Sequence, residues 1–272
     1  MLVLHVRHLV FGLLAAALAF GQSTPAPAPK PVRKAPTPAD WAALAKLPDF
    51  TGIWETPLGR PGAFNPPGTA AGGERVAAPP PSLTPEYAAK AKERSRLTAK
   101  VEDDATANCL PPGVPGIMRQ PYPIEFLLTP GQVTLITEAY SQVRRIYTDG
   151  RPLPEDPDPS FDGTSVGRWE GDTLVVETVG FEPVQRGIAF PYSEKMKVVE
   201  RFRLSDPDTL NVQTTILDPL ALAKPYLLGN WIFKRHRNWT IMEYVCEENN
   251  RNFLDEKGKA GINLDNPAAS PK

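Results

Sequence analysis

KMKVVERFRLSDPDTLNVQTTIL, from Lys195 to Leu217, decides the fold. Met196, Val198, Phe202 and Leu204 recur at every second position, as do Leu210, Val212 and Ile216, which is the period of strands that bury one face. The SDPDT stretch between the two runs carries turn residues, so the two strands form a hairpin. Pairing Leu204 with Leu210 places Glu200 opposite Thr214, with Val212 and Ile216 as neighbours. Glu200 is therefore an acid on an apolar face, where burial disfavours the charge unless a cation approaches.

The same period extends in both directions from Pro121 onward, broken by Pro-Gly, Asp-Gly and Gly-Asp turns. It predicts strands at Ile124 to Thr129, Gln132 to Ala139, Val143 to Asp149, Thr164 to Glu170 and Asp172 to Val179. Further strands are expected at Lys195 to Leu204, Thr209 to Leu217, Tyr226 to His236 and Trp239 to Glu248. With a short strand around Trp54 the total is about ten, mostly sequential neighbours. An open sheet of that size exposes costly edges, so the expected fold is mainly β, an up-and-down antiparallel barrel with one surface helix. A β-sandwich is the alternative.

A barrel of eight to ten strands has room for one small ligand, and its inward side chains are where function is sought. Alternation over VRRIYTD puts Val143, Arg145, Tyr147 and Asp149 on one face and Arg144, Ile146 and Thr148 on the other. We read Arg145 and Tyr147 as the inward polar groups. The hairpin turning at Gly171 and Asp172 collects Trp169, Leu174 and Val176 on one face, with Arg168 and Glu177 as diagonal neighbours on the other. In the final hairpin, turning at Arg237 and Asn238, one face carries Trp231, Phe233, Met242, Tyr244 and Cys246. The opposite face repeats the Glu200 pattern, with Glu243 among aliphatic residues. Glu200, Tyr147 and Glu243 are thus the candidate catalytic groups, and Arg145, Arg168, Trp169, Phe202, Trp231 and Tyr244 the candidate ligand contacts.

The amino-terminal residues 1–21 read as a secretory signal peptide: a short basic start with Arg7, an apolar run from Leu9 to Phe20, and the small residues Ala19 and Gly21. That run is shorter than the roughly 20 residues a membrane-spanning helix needs. The expected location is periplasmic or secreted, with no transmembrane segment after cleavage. Residues 22–48 form a Pro/Ala-rich linker, 49–250 the barrel domain and 251–272 a polar tail. A helix is expected at about 84–101, with Thr84 as N-cap and Pro85 at its first position.

Removing the signal discards His5 and His8, so His236 alone remains of the three histidines. With Cys109 and Cys246 it cannot make a four-ligand zinc site, and no metal is expected. There is no GxSxG elbow, no GxGxxG and no phosphate-binding GxxxxGK[ST], so no cofactor is expected. Asp156, Asp158, Ser160 and Asp162 alternate like calcium ligands, but Phe161 stands where such a loop needs glycine, and a rigid turn fits better. The 30 basic and 31 acidic residues become 29 against 31 without Arg7, and no patch suggests nucleic acid. In an oxidising compartment the two distant cysteines are expected to form a Cys109–Cys246 disulfide.

CLPPGVPGIM, PYPIEF, VRRIYTDGR, SVGRWEGDTLVVETVGF and EYVCEENN resemble a family of secreted bacterial proteins without an assigned activity, over about Asp49 to Asn250. Gly52-Ile53-Trp54 followed by a meander is similar to the entry of calycin and lipocalin-like barrels. That second resemblance implies binding of a small hydrophobic or aromatic molecule, and in a minority of such barrels cofactor-free isomerase, cyclase or hydratase chemistry. The leading expectation is therefore an exported small-molecule-binding barrel. The alternatives are a lyase, isomerase or hydratase using Glu, Tyr and Arg in the same pocket, and a structural envelope-associated module.

Overall fold

Ladders of backbone hydrogen bonds join the period-two stretches into one closed sheet. The computed structural model describes residues 35–56, 64–65, 79–98, 109–182, 188–246, 252–254 and 260–262. The described elements lie in one compact unit, Pro36–Lys272; the expected signal peptide at 1–21 lies outside the described residues. The strands are β1 (Gly52–Glu55), β2 (Phe64–Asn65), β3 (Ile124–Thr129), β4 (Gln132–Thr137), β5 (Gln142–Tyr147) and β6 (Thr164–Glu170). They continue with β7 (Thr173–Val179), β8 (Lys197–Asp206), β9 (Thr209–Leu217) and β10 (Tyr226–His236). The order β1-β3-β4-β5-β6-β7-β8-β9-β10 closes when β1 also pairs with β10, giving a nine-stranded barrel, while β2 adds to β10 outside the ring.

Closure satisfies both edges of β1: Trp54 stands opposite Ile124 of β3 on one side and Arg235 of β10 on the other. The registers of the long hairpins follow the alternation. Leu204 pairs with Leu210 and Glu200 with Thr214, and Trp169 pairs with Leu174. Inside, Trp54, Phe126, Leu174, Phe202, Leu210, Val212 and Phe233 are buried and pack together.

One seam departs from the antiparallel expectation. β5 and β6 run parallel and pair only at Ile146 with Ser165 and Tyr147 with Val166. The connection, residues 148–163, includes Pro152, Pro154, Pro157 and Pro159. Such a segment cannot fold into a tight hairpin, so the chain returns to the start of the barrel wall and re-enters in the same direction.

The described α-helices are α1 (Pro38–Leu44) and α2 (Pro85–Thr98). α2 is the expected surface helix. α1 arises inside the stretch read as an extended linker, because Thr37 and Asp40 form a reciprocal capping box and Pro38 stands in the first turn. The strand expected at Trp239 to Glu248 does not form: the chain from Trp239 to Val245 has no regular structure. It is held across the barrel instead by Met242 N–H donating to Glu138 Oε2 at 2.9 Å and by the Cys109–Cys246 disulfide. In the expected polar tail, β11 (Asn252–Leu254) and β12 (Ala260–Ile262) pair as a small hairpin.

Candidate functional site at the parallel seam

A strand that carries polar side chains inward must give each of them a partner. On β6 and β7 the paired Ser165 and Thr178 both point inward and are buried, with Oγ and Oγ1 2.9 Å apart. On β8, one strand further round, Glu200 is fully buried. Arg144, on β5, reaches all three: Nε donates to Ser165 Oγ at 3.1 Å, and Nη2 donates to Thr178 Oγ1 at 3.0 Å and to Glu200 Oε2 at 2.5 Å. The Arg144 and Glu200 side chains are 3% and 0% exposed, so this is an ion pair inside the barrel wall.

The network is incomplete among the described residues. Arg144 Nη1, Glu200 Oε1 and Asp162 Oδ1 are buried and have no hydrogen-bond partner. Asp162 lies on the segment that leads into β6, and burial pushes its carboxyl pKa upward. Arg144 opposes that rise through its positive charge, and Glu200 adds to it through its negative one.

Above these atoms the wall opens. A cleft of about 350 Å3 is bordered by Gln142, Val143, Arg144, Arg145 and Tyr147 of β5 and by Ser160 to Ser165 on the other side. Gly163 sets this divergence. Its φ of +63° bends the chain away from β5, and an added Cβ would stand 2.6 Å from the Val179 carbonyl oxygen. The two strands therefore meet only at their shared end.

The sequence-predicted residues divide between this cleft, the core and the surface. Glu200 is in the cluster. Tyr147 is not the inward group expected: it lies half-buried on the outer face with Arg145, bordering the cleft, with the Arg151 guanidinium 3.9 Å from its ring centroid. Arg145 borders it from outside: it is exposed, and the inward cation of β5 is Arg144. Glu243 is exposed on the irregular segment after β10 and does not join Glu200. Arg168 is exposed and paired with Glu170 and Glu177. Phe202 is core, edge-on to Phe126 at 6.0 Å, and Trp169 packs on Phe50 at 5.4 Å. Trp231 is buried and donates from Nε1 to Thr214 Oγ1 at 3.2 Å. Tyr244 forms an aromatic group with Tyr122 and Tyr140, each at 5.4 Å, and burial pushes its hydroxyl pKa upward.

Arg144, Ser165 and Thr178 were not singled out by sequence reading, and Asp162 was read only as part of a rigid turn. VRRIYTD places a cation on each face, and choosing between them needs the register to β4, where Leu135 stands opposite Arg144 and Val133 opposite Ile146. The only local signal is Ile146, an aliphatic residue on the Arg144 face.

The fold and site define a closed mixed β-barrel with an ionic cluster beneath a gap in its wall. No protein-family model matches the chain, and no curated protein is significantly similar to it.

Proposed function

We propose that the protein is an exported small-molecule-binding barrel whose ligand enters the cleft between β5 and β6. The observation that carries this reading is a pair of buried polar atoms without partners among the described residues, Arg144 Nη1 and Asp162 Oδ1, on residues that line a cleft of ligand size, with the equally unpartnered Glu200 Oε1 behind them. At the cleft they offer one donor and one acceptor. Two carboxyl groups beside one guanidinium disfavour an anion, so the ligand is neutral and carries an adjacent donor and acceptor, as a carboxamide does. This polar floor favours a polar ligand over the hydrophobic one implied by the calycin resemblance. Export is supported by the signal-like residues 1–21 and by the disulfide.

The test is titration of the mature chain with acetamide and small polyols, followed by amide and guanidinium NMR. Saturable shifts confined to Arg144, Asp162 and Ser165 are expected, and Val143→Trp at the exposed rim abolishes them. A chain that shows no such shift, with Arg144 Nη1 satisfied by water alone, would be a structural module.

A second reading shares the cleft. Asp162, whose carboxyl holds its proton more tightly than usual, and Tyr147 on the facing wall are suited to general acid/base work on a bound ligand. Turnover of a ligand found by the first experiment, lost in Asp162→Asn while binding persists, distinguishes the two readings.

A further inference from the structure

The cleft has a second set of unused groups, on the backbone of β5. Thr148 N–H donates to the Gly131 carbonyl across the end of the β4–β5 hairpin, which fixes the parity of that ladder. Counting back by twos, Ile146, Arg144 and Gln142 direct their backbone groups to β4, and Tyr147, Arg145 and Val143 direct theirs to the opposite edge. On that edge the parallel pairing of Ile146 with Ser165 engages the Tyr147 N–H and the Arg145 carbonyl. The ladder goes no further. Among the described residues, the Arg145 N–H and both the N–H and the carbonyl of Val143 face the cleft without a partner strand, because Gly163 has turned the chain away before it can pair with them.

Backbone groups at alternate residues of one edge match an extended main chain, whose own donors and acceptors repeat at the same spacing. A rounded small molecule meets one such group and leaves the others dry. Resting on the reading of the cleft as a ligand site, we infer that its ligand is an extended peptide segment that completes the β5 ladder at Val143 and Arg145. Successive side chains of an added strand point to opposite faces of the wall. One of them therefore faces Arg144 and Asp162, where the free Arg144 Nη1 donates to the side-chain oxygen of Asn or Gln and Asp162 Oδ1 accepts from its amide N–H. Its neighbours lie outward along the exposed Val143 and Arg145.

The probe is acetyl-Val-Asn-Val-amide, compared with its backbone N-methylated form and with acetamide, which carries the Asn side-chain group alone. The protein is the mature chain and its Val143→Pro variant. Proline at 143 removes only the unpaired N–H, and the preceding Gln142 already has the extended φ of −79° and ψ of 143° that a proline requires. The expected result is peptide binding with slowed hydrogen exchange at the Arg145 and Val143 amides. N-methylation of the peptide or Val143→Pro should weaken it about tenfold, as the loss of a ladder hydrogen bond does. If acetamide binds but the peptide does not, or if the peptide binds equally well when N-methylated, the peptide inference is overturned and the small-ligand site stands. Binding of neither probe at the cleft overturns both. Should Val143→Pro fail to fold, the N-methylated peptide decides alone.

Discussion

Asp162 and the pair Arg144–Glu200 show how far single residues set the properties of the barrel wall. An acid whose pKa is higher folded than unfolded binds more protons in the native state, so stability falls as pH rises from the ordinary aspartate value of 3.8 through the raised one. Asp162→Asn removes that cost. Its melting temperature is expected to exceed that of the parent at neutral pH and to match it near pH 3, as followed by circular dichroism across the pH range. Arg144 behaves oppositely, since Arg144→Met leaves Glu200 buried without a counter-charge. A loss of about 3–5 kcal/mol in denaturant unfolding is expected, and the double variant Arg144→Met, Glu200→Met should recover most of it. A single variant no less stable than the parent would show that solvent reaches Glu200. Glu200 was legible from its place among Val198, Phe202 and Leu204, because one hairpin supplies both the strand and the partner. Arg144 was not, because the Arg-Arg pair offers each face the same charge and the β4–β5 link through Ala139–Ser141 is not a tight turn that sets register.

Among the elements, the parallel seam and the carboxy-terminal strap set the site apart from an ordinary meander. Gly163→Ala forces a Cβ against the Val179 carbonyl in a backbone conformation that L residues rarely adopt. The expected outcome is a loss of about 1–3 kcal/mol, with amide shift changes centred on Ser160 to Ser165 rather than on the β8–β9 hairpin. The strap from Trp239 to Val245 is tied down by Cys246, whose partner Cys109 is 137 residues away in sequence. Chain entropy assigns a crosslink of that span about 5 kcal/mol. Cys246→Ser should therefore lower the urea midpoint markedly while leaving the β8–β9 amides protected from exchange once folded. The strap was read as a strand because Trp239, Ile241, Glu243 and Val245 alternate correctly. Alternation makes a strand only where a free edge is available to pair with it, and β1 already occupies the edge of β10.

For the whole molecule, closure rests on the four residues of β1, and Trp54 is its fully buried anchor, with Nε1 donating to the Phe50 carbonyl at 2.9 Å and the Arg235 guanidinium 4.4 Å from its ring. Trp54→Ala is expected to cost about 3–5 kcal/mol and to expose both the β3 and β10 edges together, seen as simultaneous loss of amide protection at Phe126 and Lys234. Protection lost at only one edge would mean the barrel is not one cooperative unit. The sequence by itself determined the strand period, the long hairpin registers, the disulfide partners and the burial of Glu200, since each depends on neighbours along the chain or on the only available pair. The tertiary structure alone decided that β5 and β6 meet in parallel, that Arg144 rather than Arg145 turns inward, and that Asp162 joins them under an open seam. Those features depend on where a proline-rich crossover returns to the wall, and that is set by packing across the closed barrel rather than by any local pattern.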